Sequence, residues 1–262
     1  MSNKAPSYVE GHQLLAGKSV LITAAAGAGI GFSAAQRAVE EGASAVVISD
    51  IHDARLAQAV ETLSALSPKT NVHGIRADVT QEQEVQHLVS TADDRVGGVD
   101  ILINNAGVQN EIDLTGPADT VQIDAEVALN LVGPIKLSLA LLPFLRAPGG
   151  SVVNVTSLVS LHPKPSAPVY SATKAGLASF TRALRHQLTS KAITVIDVIP
   201  PLVATEMTAG RGSGKLSPED MAEAIVTGIA RGEMQIAPGK SKLVLRLNRL
   251  FPGLIARILS KE

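Results

Sequence analysis

The 262-residue chain has no cysteine and no tryptophan, and only two tyrosines and four phenylalanines. Without cysteine it can form neither disulfides nor thiolate-ligated zinc or iron–sulfur centres. With so few aromatic rings it lacks a platform on which nucleic-acid bases would stack. An excess of one charge is missing too. The 23 Lys and Arg stand against 24 Asp and Glu, a formal net charge of -1, so no global basic field draws in a phosphate backbone. No apolar run approaches the roughly 20 residues needed to span a bilayer. The opening MSNKAPSYVEGHQLLAGK also lacks the apolar core of a secretory signal. The expectation is a soluble, cytoplasmic protein that binds no nucleic acid. The six histidines (His12, His52, His73, His87, His162 and His186) show no metal-ligand spacing, and no metal is expected.

What the chain does have is a globular composition, 45% hydrophobic and 18% charged. Short β-branched runs at Ser19–Thr23, Ala45–Ser49, Val72–Ala77, Ile101–Ile103, Ser151–Val155 and Ile193–Val198 read as strands. They are apolar on both faces, which suits a parallel sheet covered on each side. Helical patterns lie between them, near 31–42, 53–66, 81–94, 118–146 and 168–190. That alternation predicts a single doubly wound α/β domain of Rossmann type over 1–262, with ligands beyond the carboxyl ends of the strands. Residues 206–217 are polar and Gly-rich directly after the sixth strand and read as a substrate lid.

The first strand runs into Thr23-Ala-Ala-Ala-Gly27-Ala-Gly29-Ile30-Gly31 and then a helical pattern. Glycines in such a turn let the backbone approach a pyrophosphate, whose charge the helix N-terminus stabilises. Asp50 follows 19 residues after Gly31, at the end of the second strand. A carboxylate there accepts hydrogen bonds from ribose hydroxyls and repels a 2′-phosphate, so NAD is expected over NADP. Neither Ile51 nor His52 supplies an arginine for that phosphate, and no Gly-Lys-Ser/Thr makes the turn a P-loop. The plainer reading of Asp50 is a turn or capping aspartate.

Tyr170 and Lys174, in Pro168-Val-Tyr-Ser-Ala-Thr-Lys174, are four apart and share one helix face. A neighbouring ammonium stabilises a phenolate, so the pair is expected to exchange a proton near neutral pH, with the tyrosine below its usual value. Ser157, thirteen residues earlier at the end of the fifth strand, would hold a substrate oxygen against the phenol. Taken singly, the three read as a packing tyrosine, a solvated lysine and a turn serine. Their combination after a strand of a dinucleotide fold is far more specific.

These motifs resemble the short-chain dehydrogenase/reductase family over nearly the whole chain. The nucleotide turn at 23–31, Asn104–Gly107 (NNAG) and the Tyr170/Lys174 pair carry the resemblance. It implies that Tyr170 is the acid/base, that Lys174 lowers its pKa and binds the nicotinamide ribose, and that Ser157 orients the substrate oxygen. It implies a fourth catalytic residue at Asn130, an adenine pocket at Asp78 and Val79, and adenosine and ribose contacts at Asn105, Ala106 and Gly107. It also implies a nicotinamide-carboxamide anchor at Val203 and Thr205. Three features depart from the pattern: Ala24 and Ala25 in a longer glycine turn, Pro201 in place of a glycine, and Thr156 before Ser157. Within the family, TAAAGAGIGFSAAQRAVEEG and VVISDIHDARL look similar to actinobacterial lipid- and steroid-catabolism dehydrogenases. NNAGVQNEIDL, LRHQL and IPPLVATEM look like the DltE-like oxidoreductases, a branch whose second-strand end suits NADP.

The tail from Lys240 puts Leu243, Leu247, Leu250, Leu254 and Ile258 on one helical stripe, with Lys242, Arg246, Arg249 and Arg257 beside it. Pro252-Gly253 divides it into two short helices. Its readings are a helix packed on the body or a partner subunit, a cover for a lipid-like substrate, and a weak contact with an anionic membrane. The leading expectation is an NAD-dependent oxidoreductase interconverting a secondary alcohol and a ketone, and a homo-oligomer. The alternatives are a non-catalytic NAD sensor and a membrane-peripheral module. Gln109, Glu111, Leu158, His162 and Met207 are expected to line the substrate pocket.

Overall fold

The computed structural model describes residues 13–116 and 119–259. Seven parallel strands form one sheet in the order β3-β2-β1-β4-β5-β6-β7. They are β1 (Ser19–Thr23), β2 (Ala45–Asp50), β3 (Asn71–Arg76), β4 (Ile101–Asn104), β5 (Ser151–Val155), β6 (Thr194–Val198) and β7 (Gln235–Ile236). The helices are α1 (Ile30–Glu40), α2 (Asp53–Leu66), α3 (Glu82–Val96), α4 (Thr120–Val127), α5 (Gly133–Leu141), α6 (Pro168–Leu188), α7 (Pro218–Ala230), α8 (Lys240–Leu250) and α9 (Pro252–Leu259). Among the described residues no helix is long and apolar enough to cross a membrane.

Strand alternation explains the two cores. Val20, Ile22, Ile101, Ile103, Val153, Val155, Ile196 and Val198 point to one face, where α1, α2 and α7 cover them. Leu21, Leu102, Val152 and Val195 point to the other, under α3, α5 and α6. Successive side chains on a strand face opposite ways, so strands apolar throughout must be buried on both sides. On the first face, α1 and α7 are clamped by Arg37, buried between Glu41 at 2.7 Å and Glu223. On the second, polar groups lock sheet to helices. The Asn104 amide donates to Asn154 Oδ1 (2.8 Å) and to Ser138 Oγ (3.0 Å), and Asn154 donates to Thr181 Oγ1 (2.9 Å).

The expected doubly wound domain is therefore present, and the strand order reverses direction between β1 and β4. In such sheets that reversal opens a crevice for ligands. One expectation needs correction, and one strand was not foreseen. The single helix foreseen at 118–146 starts at Thr120, capped by the Asp119 carboxylate, and ends at Leu141. It also carries a wide π turn at Ala128–Val132. Residue 118 lies outside the described residues. The strand β7, with only two residues, was too short to stand out as a pattern. The tail does break at Pro252 into α8 and α9.

Candidate functional site

The carboxyl ends of β1, β2, β4, β5 and β6 open onto one cleft of about 800 Å³. One end is built by the turn after β1. Thr23 Oγ1 accepts the backbone N–H groups of Asn105 and Ala106, both at 3.0 Å. The Asn105 amide donates back to the carbonyls of Thr23 (3.0 Å) and Ala24 (3.2 Å). The segment after β4 thus holds the glycine turn in shape. Ala24 sits at φ +51°, a left-handed conformation that glycine adopts without strain. This gives a physical reason why alanine there is a departure. A Cβ on Gly31 would meet the Ala24 carbonyl oxygen and Asn105 Nδ2 at 2.5 Å each, so that glycine serves close packing. A Cβ on Gly27 or Gly29 would instead fit without a clash, its nearest neighbours being Arg55 at 3.7 Å and Thr205 at 3.8 Å, respectively. The two glycines form a cradle that a ligand can fill.

Asp50 lines the same end. Its Oδ2 accepts from Ala26 N at 3.3 Å and its Oδ1 from His52 N at 3.2 Å. The carboxylate therefore braces the turn as well as facing the cleft. Sequence reasoning missed Arg55, one turn into α2. It also lines the cleft and lies 3.7 Å from Glu206 across it. The available signal was its place in the first turn of α2, five residues after Asp50, where only Ile51 and His52 were considered.

The other end carries the reactive groups. Ser157, Tyr170 and Lys174 all line the cleft. Ser157 caps a short 3₁₀ turn at Leu158–Ser160, its Oγ accepting from Val159 N at 3.3 Å. Pro168 at the start of α6 sets the first turn that carries Tyr170. Lys174 Nζ is 4% exposed as a residue, donates to the Val155 carbonyl at 2.9 Å and lies 5.7 Å from the Tyr170 ring centre. The expectation of a lowered tyrosine fails in this state. Burial pushes the Tyr170 phenol up to about 12, against the pull of its hydrogen bond with Ser157. Burial also brings Lys174 down to about 8. At neutral pH Tyr170 is a phenol, poised to donate a proton.

Behind this wall, Asn130 sits on the π turn and is fully buried. Its Oδ1 accepts from Val108 N and its Nδ2 donates to Val108 O, both at 2.8 Å. A Cβ on Gly107 would meet Asn130 Oδ1 at 3.1 Å and Lys174 Nζ at 3.4 Å, so a side chain there would press on both groups. Glu126, four residues earlier and fully buried, was not foreseen, although its spacing from Asn130 was the available signal. It accepts from Asn110 N and Nδ2 at 3.3 Å, and burial raises its carboxyl despite those bonds and the Lys174 charge.

Val203 and Thr205 join the lining, as do Ile30, Asn105 and Gly107. Thr205 is also the cap of the 3₁₀ turn Glu206–Thr208. Asp78, Val79 and Ala106 lie outside the lining. The Asp78 carboxylate binds Thr80 N and Oγ1 at 2.9 and 2.8 Å, and Val79 packs in the core. Of the pocket residues expected, Gln109, Leu158, His162 and Met207 line the cleft. Glu111 does not; its side chain is 63% exposed and lies 3.8 Å from Lys164, which does. The lid residues Arg211–Gly214 and the α8 residues Lys240, Leu243 and Val244 complete the wall. His162 Nε2 meets Asn248 Oδ1 at 2.6 Å, fixing α8 there. The first helix of the tail, α8, is thus part of the cleft. No cluster of metal ligands occurs among the described residues.

Comparison with known proteins agrees with this arrangement. A family model described as short chain dehydrogenase matches residues 18–215. The uncharacterized oxidoreductase DltE of Bacillus subtilis is 34% identical over 226 residues, 83% of this chain and 86% of that protein. The (5R,7aS)-5-hydroxy-7a-methyl-1-oxo-2,3,5,6,7,7a-hexahydro-1H-indene-carboxyl-CoA reductase of Mycobacterium tuberculosis is 35% identical over 214 residues, 81% of this chain and 80% of that protein. A crystal structure of a short chain dehydrogenase from Mycobacterium smegmatis superposes with a TM-score of 0.76 at 32% identity, covering 87% of this chain and 91% of its own. Two Burkholderia short chain dehydrogenases superpose as well. The B. cenocepacia structure holds NADP (TM-score 0.77, 27% identity, 84% and 93% covered), and the B. phymatum structure holds NAD (0.81, 25%, 94% and 96%). With its fold, its glycine turn and its Ser157–Tyr170–Lys174 wall, the chain belongs to the short-chain dehydrogenase family of oxidoreductases.

Proposed function

We propose that the protein interconverts a secondary alcohol and a ketone with NAD(H), Tyr170 moving the proton. The observation that carries this reading is the single cleft that has Ser157, Tyr170 and Lys174 at one end and the open glycine cradle with Asp50 at the other. The cradle and the carboxylate fit a dinucleotide. Gly27, Gly29, Ile30 and Gly31 would hold the pyrophosphate at the N-terminus of α1. Asp50 would take the adenosine ribose, and Asn105 and Gly107 would meet the adenosine; Asp78, Val79 and Ala106, which lie outside the lining, have no part in this reading. Val203 and Thr205 would anchor the carboxamide and Lys174 the nicotinamide ribose. When bound, the nicotinamide supplies or accepts the hydride.

The chain's own groups then do the rest. Ser157 Oγ holds the substrate oxygen. In reduction Tyr170 gives its hydroxyl proton to that oxygen as the carbinol forms; in oxidation its phenolate takes the proton from the alcohol. Lys174, ammonium below about pH 8, supports negative charge on the phenolate. Asn130 keeps the Val108 strap in place beside it. The phenol present at neutral pH is the form that donates a proton in the reduction direction. Asp50 supports NAD, whereas Arg55 on the cleft wall favours a second reading in which a 2′-phosphate is also accepted.

The test is nucleotide-linked turnover, with NADH and NADPH, against ketones and secondary alcohols spanning steroids, hydroxyacyl thioesters and polyols. Turnover of an apolar ketone or alcohol with a preference for NADH is expected. Nucleotide binding with no turnover across the panel would favour the sensor instead.

A further inference from the structure

The substrate end of the cleft has a charge pattern that the chemistry above does not use. Lys164 comes from the loop before α6, Arg211 from the lid and Lys240 from the start of α8, and all three line the cleft. Three segments far apart in sequence thus bring cations to one opening. Lys240 Nζ lies 3.3 Å from the point a Cβ on Gly214 would occupy, so it reaches the lid. Lining carboxylates number only two: Asp50, which braces the glycine turn, and Glu206, which lies 3.7 Å from Arg55. The Glu111 carboxylate near Lys164 is at 3.8 Å and largely exposed, where water screens such a pair. Lys240 has no ion pair among the described residues. Leu158, Val159, Leu202, Met207, Leu243 and Val244 give the same cleft an apolar wall.

We propose that the substrate carries an anionic group, a carboxylate or a phosphate, at the end of its apolar body, and that Lys164, Arg211 and Lys240 grip that group while the body lies against α8 and the lid. This deepens the oxidoreductase reading and rests on it for the position of the reacting carbon. Arg211 also supports the arrangement electrostatically, since its charge acts on the Tyr170 phenol in the direction of ionisation. It links the lid to the reaction centre. An acyl thioester of a phosphorylated carrier and a free acid share the required chemistry. The reductase relative named above for a carboxyl-CoA compound is an instance of the first.

Calorimetric titration of the full-length protein separates the sources. The probes are decanol, decanoate and decanoyl-coenzyme A, with wild type and the triple variant Lys164→Met, Arg211→Met, Lys240→Met. At least one anionic probe is expected to bind ten or more times more tightly than decanol. The variant should lose roughly three- to tenfold of that affinity per cation while binding decanol unchanged. Preference for decanoyl-coenzyme A over decanoate assigns a phosphorylated carrier; the reverse assigns a free acid. Lys240→Met alone, on an exposed residue, guards against misfolding of the triple variant and should show a single-cation loss. Equal binding of all three probes, no binding of any, or anion binding that survives the substitutions overturns the proposal. Binding is read without turnover. Anion capture by a protein that reduces no ketone would therefore sink the oxidoreductase reading and leave the grip standing.

Discussion

Glycines of the nucleotide turn do two different jobs, and alanine substitution separates them. At Gly31 a methyl group would stand 2.5 Å from the Ala24 carbonyl oxygen and from the Asn105 amide nitrogen. The first is backbone, so the turn must move. Overpacking of that kind costs about 1–3 kcal/mol. Displacing Asn105 also forfeits its two hydrogen bonds to Thr23 and Ala24, at about 1 kcal/mol each. Alanine's better helix propensity at this first turn of α1 returns about 1 kcal/mol. The net is a loss of about 2–4 kcal/mol, which for a chain of this size lowers the melting temperature by about 5–15 °C. Gly29→Ala is the control. Its backbone is extended, at φ 175°, and its added methyl meets nothing closer than 3.8 Å. That variant should melt like wild type and yet bind NADH about tenfold more weakly, because the methyl occupies the cradle. Thermal unfolding by circular dichroism and NADH titration read the two effects. Equal melting temperatures for the two variants, or normal NADH affinity in Gly29→Ala, would refute the division of roles.

Three further outcomes follow from the charges. Lys174 is held at about 8 against an ordinary 10.5. Folding therefore carries a buried ammonium whose penalty is full below pH 8 and is relieved as pH rises toward 10.5. At about 1.4 kcal/mol per pH unit, less about 1 kcal/mol for the lost bond to Val155, Lys174→Met should be inactive yet more stable by about 2–3 kcal/mol at pH 7. Denaturant unfolding that shows the variant less stable contradicts this account of the lysine. Asp50→Ala should weaken NADH binding by about tenfold, roughly the 1.4 kcal/mol of a charge-assisted hydrogen bond, and narrow its advantage over NADPH, whose phosphate Arg55 can meet. An unchanged affinity ratio means Asp50 serves the turn alone. Glu126 opposes ionisation of Tyr170, while Ser157 and Arg211 promote it. Glu126→Gln should accordingly shift the rising limb of alcohol oxidation to lower pH, and a fixed profile would show that Glu126 acts only through Asn110.

Much of the fold was legible because its strands are apolar at consecutive positions, a pattern that only a doubly covered sheet satisfies. The π turn at Ala128–Val132 was not, since a single extra residue in a helical turn leaves no mark on the hydrophobic pattern. Ser157, Tyr170 and Lys174 were picked out by their spacing after a strand of a dinucleotide fold together with the family resemblance, and the fold brings all three to the cleft wall. Their protonation was not legible: the sign of the Tyr170 shift depends on how deeply α6 buries the phenol, which the motif does not encode. Arg55 was missed because only the two residues after Asp50 were considered, and Lys164, Arg211 and Lys240 because three segments far apart in sequence bring them to one cleft. The role of α8 as a cleft wall was hidden for the same reason, since an amphipathic stripe shows that a helix covers something without saying what.

Tyr170 is the proposed proton donor and acceptor, in a cleft whose nucleotide cradle does not depend on it. The most direct measurement is steady-state turnover of wild type and Tyr170→Phe with the best substrate of the panel, alongside NADH titration of both. Losing general acid–base catalysis costs about 10²–10⁴-fold in rate. The variant should fall by at least that much while its NADH affinity stays within about twofold of wild type, a difference of only about 0.4 kcal/mol. Turnover that persists within tenfold of wild type would place the proton on another group and contradict the central claim.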